Sequence, residues 1–242
     1  MPAVLVHGVP DTGGMWAPLR AELARDDVEV VALPGFGNRA PEGWTATKES
    51  YASWLEDEIA AIGEPVDLVA HDWGSILAQR VASQRPDLIR TLACGSGPCD
   101  ETYTWHAMAQ AWQTPEVGEQ IVDGMVALPE ADLAAGLAAG GAPSDLAAEQ
   151  ARHVDAEMAR CILALYRSAV TVGAEWQPAV DAMPRRPAVV FHGADDPYVD
   201  VSIMERLAAR LGTELVVYDG CSHWWAWERA ADVAAVLTDL WD

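Results

Sequence analysis

The chain has 242 residues, 51% of them hydrophobic, and a formal charge of −22 at pH 7 from 15 Lys plus Arg against 37 Asp plus Glu. That length supports one large core with room for an insertion, and no apolar run is long enough to span a bilayer. With Lys48 the single lysine, the charge argues against a nucleic-acid partner, which needs clustered cations, and it disfavours anionic substrates. Cys94, Cys99, Cys161 and Cys221 lack CxxC or Cys/His spacing, so neither a zinc site nor a disulfide framework is expected. Cys221, although near His223, reads as a small buried residue. The opening Met1-Pro2-Ala3-Val4-Leu5-Val6 reads as a strand rather than a signal peptide, and cytoplasmic residence is the expectation.

Taken in chain order, Ala3–Val6 predicts a strand, followed by the turn-rich loop His7-Gly8-Val9-Pro10-Asp11-Thr12-Gly13-Gly14 and a helix over Met15–Ala24. Strands over Val28–Leu33, Val66–Ala70 and Thr91–Cys94 then alternate with helices over Ser50–Ile62 and Ser75–Gln84. From about Pro98 to Pro184 the alternation stops. Ala, Glu and Gln fill helical stretches broken by Pro115, Pro129 and Gly140-Gly141, with an Ala/Gly-rich run from Leu133 to Ala148 expected to be mobile. Alternation resumes with strands over Ala188–Phe191 and Glu214–Tyr218 and helices over Val201–Leu211 and Ala230–Leu240. Buried strands alternating with helices define an α/β fold with a mostly parallel sheet covered on both faces. The predicted division is a core of residues 1–98 and 184–242 and a helical cap of residues 99–183.

Leu68-Val69-Ala70-His71-Asp72-Trp73-Gly74 runs an apolar strand into a small-x-Asp-x-small turn. Such a turn is a nucleophile elbow: small residues let strand and helix backbones approach, and the central side chain is pushed out. A carboxylate in this place attacks alkyl carbon, where Ser would attack acyl carbon. The plainer reading makes Asp72 an N-cap of the following helix. Backbone N–H groups of Val9 and Trp73 are placed to meet a developing oxyanion, while His7 reads as a structural anchor of its loop. Late in the chain, Gly193-Ala194-Asp195-Asp196-Pro197 and Gly220-Cys221-Ser222-His223 end successive strands. Asp196 alone reads as a turn former and His223 alone as a core histidine. With Asp72 they form a nucleophile, acid and base in chain order at the carboxyl edge of the sheet.

These pieces, with Leu33-Pro34-Gly35-Phe36-Gly37, His71-Asp72-Trp73-Gly74-Ser75, His223-Trp224 and Glu228, resemble the α/β-hydrolases of the epoxide hydrolase and haloalkane dehalogenase group. The resemblance implies Asp72 as nucleophile, His223 as base and Asp196 as its orienting acid, with Asp195 one residue off the pattern. It also implies an α/β-hydrolase fold lacking the usual first hairpin, an inserted helical cap and no cofactor. The reaction implied has two steps: an alkyl ester on Asp72, then its hydrolysis by water that His223 deprotonates.

Leu165-Tyr166-Arg167-Ser168 is similar to the family stretch carrying a Tyr that protonates the epoxide oxygen, although plain packing also fits Tyr166. The family's second Tyr has no clear counterpart, and Tyr103 or His106 is the nearest substitute. Halide departure would need N–H donors instead, and Trp73 with Trp105 or Trp112 is the candidate set; the spacing of Trp105 and Trp112 equally fits packing. Arg167 and Arg39 are the only candidate clamps for a haloacid. Trp224, Trp225 and Trp227 flank His223, and packing is expected for two of the three. Arg185 and Arg186 read as a solvated hinge. The reading is therefore hydrolysis of a small or medium apolar electrophile, an epoxide first and a haloalkane or haloacid second, with a catalytically silent hydrolase-fold binder as the alternative class. No nucleic acid or membrane partner is expected, and a homodimer is the assembly to test for.

Overall fold

The computed structural model describes residues 1–242. Six strands form one sheet: β1 (Ala3–Val6), β2 (Val28–Val31), β3 (Val66–His71), β4 (Ile89–Gly95), β5 (Ala188–Gly193) and β6 (Leu215–Tyr218). Their order is β2-β1-β3-β4-β5-β6, and every neighbouring pair is parallel. All four residues of β1 and all six of β3 are buried, because helices cover both faces. Successive side chains alternate between two cores. Val4, Val6, Leu68 and Ala70 join one cluster, whereas Leu5, Val69, Ala93 and Phe191 join the other.

The first core is closed by α2 (Lys48–Ile62), α3 (Trp73–Gln84) and α10 (Val201–Leu211), and the second by α1 (Ala17–Glu22), α11 (Trp225–Glu228) and α12 (Ala230–Trp241). Between β4 and β5 the chain forms six helices: α4 (Ala107–Gln113), α5 (Val117–Ala127), α6 (Glu130–Ala139), α7 (Ser144–Ala151), α8 (Ala156–Ser168) and α9 (Val172–Ala182). Of these, α9 packs on α3 and α10, and α8 on α2, so the insertion rests directly on core helices. No helix is long and apolar enough to cross a membrane.

Three expectations are corrected. The helix expected over Met15–Ala24 starts as a 3-10 turn, Gly13–Trp16, capped by the Thr12 side chain, and α1 follows with Pro18 in its first turn. The Ala/Gly-rich run is not loose: it forms most of α6 and α7, with Leu133, Leu146 and Ala147 buried, as the high helix propensity of Ala allows. Arg186 is not a solvated hinge residue, since its guanidinium donates to the Ile89 carbonyl at 2.8 Å and to those of Ala82 and Pro86 at 3.4 Å.

The strand order reverses at β1, with β2 on one side and β3 on the other. The loops leaving β1 and β3 therefore face each other across the crevice where open α/β sheets bind ligands.

Candidate active site

Asp72 sits on the corner between β3 and α3 with φ 52° and ψ −120°, a left-handed backbone that disfavours any side chain. Such strain costs about 1–3 kcal/mol and persists only where its surroundings fix it. Here its N–H donates to the Gly95 carbonyl at 3.0 Å and its carbonyl accepts from Ile76 N at 3.2 Å. Gly74 is required because a Cβ there would strike the Val6 and His7 carbonyls, and Gly8 because its Cβ would occupy the space of the Asp72 carboxylate.

Although Asp72 occupies the N-cap position, its side chain makes no capping hydrogen bond. One oxygen, Oδ1, accepts from the Val9 N–H at 2.8 Å, while Oδ2 lies 3.6 Å from His223 Nε2. Burial pushes the carboxyl pKa up, but the His223 imidazolium 3.6 Å away outweighs it and holds Asp72 ionised, below the usual carboxylate value. His7 serves as an anchor: its Nε2 accepts from Leu33 N at 3.0 Å and its Nδ1 donates to the Gly8 carbonyl at 2.7 Å.

Asp196, after β5, and His223, after β6, meet at 2.9 Å between Oδ2 and Nδ1. The Asp196 side chain is fully buried, and its Oδ1 accepts the N–H groups of Tyr198 at 2.8 Å and Val199 at 3.2 Å. Burial raises its pKa, but the imidazolium and these donors prevail and hold it at about 2. For His223, burial disfavours the charged ring, yet Asp196 and then Asp72 overcome it and raise the pKa to about 10. Asp195 is exposed and takes no part in the pair.

Opposite Asp72 the insertion contributes an aromatic wall. Trp73 stacks on Trp105 at 5.5 Å, and Tyr166 stands against Trp73 and Trp105 at 5.3 Å and Trp112 at 4.8 Å between ring centroids. Burial first, and the Asp72 charge second, keep the Tyr166 hydroxyl protonated, its pKa well above 10.0. The Trp73 indole approaches that hydroxyl without hydrogen-bond geometry, so the buried Nε1 atoms of Trp73 and Trp112 both lack an acceptor.

Several sequence candidates have other duties. The Trp105 N–H donates to the Ala169 carbonyl at 3.1 Å, which removes it from the free donors. His106 caps α4 by accepting from Ala109 N at its Nδ1 at 3.3 Å, and the Tyr103 hydroxyl donates to the Tyr198 carbonyl at 3.3 Å. Arg167 is held bidentately by Glu119 at 2.7 Å, and Arg39 lines a separate polar cleft of about 360 Å³ with Arg152 and His153. Trp224 and Trp225 are buried as packing residues, but the Trp224 indole also donates to Asp11 at 3.1 Å. A cleft of about 410 Å³ beside Met1, Arg25, Arg90 and Trp241 lies at the amino ends of the strands and contains none of these groups.

Two residues escaped the sequence reading. Asp11 is 3% exposed, accepts from Gln150 Nε2 and the Trp224 indole, and lies 3.8 Å from His71 Nδ1. Burial raises its pKa to about 7, against the hydrogen bond from Gln150. An acid in the loop following the first strand, at the switch point, was the available signal. Ser96, at φ 56°, donates its hydroxyl to Asp196 Oδ2 at 3.0 Å and approaches the His223 carbonyl at 3.2 Å. Nothing in its local sequence marks it.

With the parallel sheet, the strained corner at Asp72 and the Asp196–His223 pair in place, the chain is a member of the alpha/beta hydrolase family, whose sequence pattern matches residues 3–236. It is 27% identical over 250 residues to the pimeloyl-[acyl-carrier protein] methyl ester esterase of Aromatoleum aromaticum, covering 98% of this chain and 96% of the relative. A 105-residue stretch is 30% identical to the (E)-2-((N-methylformamido)methylene)succinate hydrolase of Acinetobacter baylyi, covering 42% of this chain and 40% of that one. Among solved structures, the haloalkane dehalogenase DbeA of Bradyrhizobium elkani superposes with a TM-score of 0.78 at 22% identity, over 99% of this chain and 90% of the other. At that identity the likeness concerns the fold.

Proposed function

We propose that this hydrolase works through a covalent alkyl ester on Asp72 and opens an epoxide to a vicinal diol. The observation that carries this reading is the division of labour between the two Asp72 oxygens: Oδ1 is engaged by the Val9 N–H, and Oδ2 is left toward His223. The ionised Oδ2 attacks the epoxide carbon, the C–O bond breaks, and the leaving oxygen takes the Tyr166 proton. In the second step His223 removes a proton from water, and the resulting hydroxide attacks the ester carbonyl carbon. Charge developing on the carbonyl oxygen meets the N–H groups of Val9 and Trp73. Collapse breaks the ester bond, the imidazolium returns its proton to the departing alkoxide to complete the diol, and the proton of the Asp72 carboxylic acid so formed passes to the Tyr166 phenolate, which restores both side chains.

A second reading, haloalkane dehalogenation, is favoured by the acceptor-free indole N–H groups of Trp73 and Trp112, which suit a departing halide. A haloacid is not supported, because Arg167 is committed to Glu119 and Arg39 faces another cleft. A silent binder fits poorly with a carboxylate placed 3.6 Å from an imidazole that a second carboxylate holds at 2.9 Å.

The test is intact-protein mass spectrometry of His223→Gln exposed to separate panels of epoxides and haloalkanes. An adduct on Asp72 with the whole epoxide mass is expected, and Tyr166→Phe should slow its formation by about 100-fold or more. An adduct lacking halogen, without epoxide adducts, moves the assignment to the second reading. No adduct from either panel overturns the covalent mechanism.

A further inference from the structure

Tyr198, two residues beyond Asp196, is a junction between the inserted helices and the proposed acid and base. Its N–H donates to Asp196 Oδ1 at 2.8 Å, and its ring stands edge-on to the His223 imidazole at 4.9 Å between centroids. The other contacts reach the insertion. Its carbonyl accepts from the Tyr103 hydroxyl at 3.3 Å, its hydroxyl donates to the Gly140 carbonyl at 2.9 Å, and its ring packs on His106 at 4.8 Å. One residue therefore touches the entry segment, the cap of α4 and the turn between α6 and α7 while holding both members of the Asp196–His223 pair.

We propose that Tyr198 is a positioning residue through which the seating of the inserted helices sets the orientation of the His223–Asp196 pair. This rests on reading His223 as the base of ester hydrolysis. The physical ground is rigidity: beyond its Nδ1 bond the His223 ring is held by edge-on packing against His71 at 4.7 Å, Trp224 at 5.1 Å and Tyr198 at 4.9 Å, and the Tyr198 ring blocks the swing on the side that faces the insertion. The hydroxyl bond to Gly140 in turn fixes the ring. Without it, the ring retains its packing but loses the tether that registers the α6–α7 turn.

The test uses the full chain and reads the hydrogen-bonded His223 Nδ1 proton by NMR, together with decay of the Asp72 ester in single turnovers. Tyr198→Phe keeps the ring and deletes the tether. Solvent exchange of the Nδ1 proton should accelerate by about 2- to 10-fold, the equivalent of one neutral hydrogen bond. Ester decay should slow while ester formation is unchanged. Tyr198→Leu should show a larger effect on both. Lys48→Met supplies the structural control, because Lys48 ties α2 to the insertion through the Ser168 carbonyl at 2.7 Å and Glu175 at 3.0 Å, in contacts separate from those of Tyr198. It should lower Tm without altering the Nδ1 proton. A Tyr198→Phe proton that exchanges as in the parent, or a Lys48→Met proton that accelerates equally, overturns the proposal. Failure of the parent chain to form any ester overturns the proposed function instead, and the NMR comparison then decides the role of Tyr198 alone.

Discussion

Asp72 and Asp196 flank the His223 imidazole and Asp11 lies against the neighbouring His71, and their environments separate the three acids: Asp196 is held at about 2, Asp72 below its usual value, and Asp11 at about 7. The two ionised acids explain why His223 is protonated in the free protein, with a pKa of about 10, a state unable to act as base. In the proposed mechanism, esterification of Asp72 removes one of those charges, so the imidazole becomes easier to deprotonate when a base is needed. The sign follows for each step. Ester formation should be flat from about pH 6 to 9, since Asp72 stays ionised there, whereas ester hydrolysis should rise with pH toward a midpoint below that of the free protein. Single-turnover rates measured against pH check both limbs, and a hydrolysis midpoint at or above about 10 would contradict the coupling. The raised His223 pKa stabilises the fold fully below about 6.5 and is lost as pH rises toward about 10. The depressed Asp196 pKa stabilises it above about 3.8 and is lost as pH falls toward about 2. Ser96 gives a second residue-level prediction, because its left-handed backbone and its hydroxyl can be separated by substitution. Ser96→Gly and Ser96→Ala should both slow ester hydrolysis, while Gly, which relieves the strain, should be more stable than Ala by about 1 kcal/mol. Thermal unfolding of the pair checks the difference. Asp72, His223 and Asp196 were legible because each follows its own strand in a short motif. Ser96 and Tyr198 were not, since Ser96 meets an acid 100 residues away and Tyr198 meets the insertion 58 residues away.

At the scale of elements, the strands were legible as apolar runs, but their ends were not: β4 extends to Gly95 and β5 to Gly193, where hydrogen-bond pairing outlasts the apolar pattern. The insertion was legible as helical, and Pro115, Pro129 and Gly140-Gly141 mark three of its five helix breaks, whereas the breaks between α7 and α8 and between α8 and α9 carry neither Pro nor Gly. One tie between insertion and core is electrostatic. Asp100, 1% exposed just before α4, accepts from Arg206 at 3.1 Å, also meets Arg210, and caps its own turn through the Thr102 N–H at 2.8 Å. Burial raises its pKa, but Arg206 and Thr102 reverse the shift and keep it ionised. Asp100→Ala removes a carboxylate shared by two α10 guanidinium groups, of which Arg210 keeps Asp181 at 3.3 Å and Arg206 keeps the Thr102 hydroxyl at 2.6 Å, and should destabilise the protein by about 1.5–3 kcal/mol. The exposed pair of Arg85 and Asp87 offers the contrast: Asp87→Ala should unfold with the parent chain. Denaturant unfolding of the two variants separates these expectations, and equal losses would refute the placement of Asp100 in a buried network.

For the molecule as a whole, the excess of 37 acidic over 15 basic residues sets a field that the local ion pairs do not cancel. Self-repulsion at that charge opposes compactness, and its range is set by screening, from about 30 Å at 0.01 M salt to about 10 Å at 0.1 M. Raising monovalent salt through that interval should therefore raise Tm, even though it weakens the surface pairs, because each such pair contributes little. The same field acts on approaching ligands. A neutral epoxide is indifferent to it, so its kcat/KM should stay constant as salt increases. A carboxylate-bearing analogue is repelled at low salt and meets no cationic clamp near Asp72, so its kcat/KM should be small and should rise with salt. Measuring both substrates across the same salt series separates steering from chemistry: if the anionic analogue is turned over faster at low salt, a cation must reach the Asp72 pocket, and the assignment to apolar electrophiles fails.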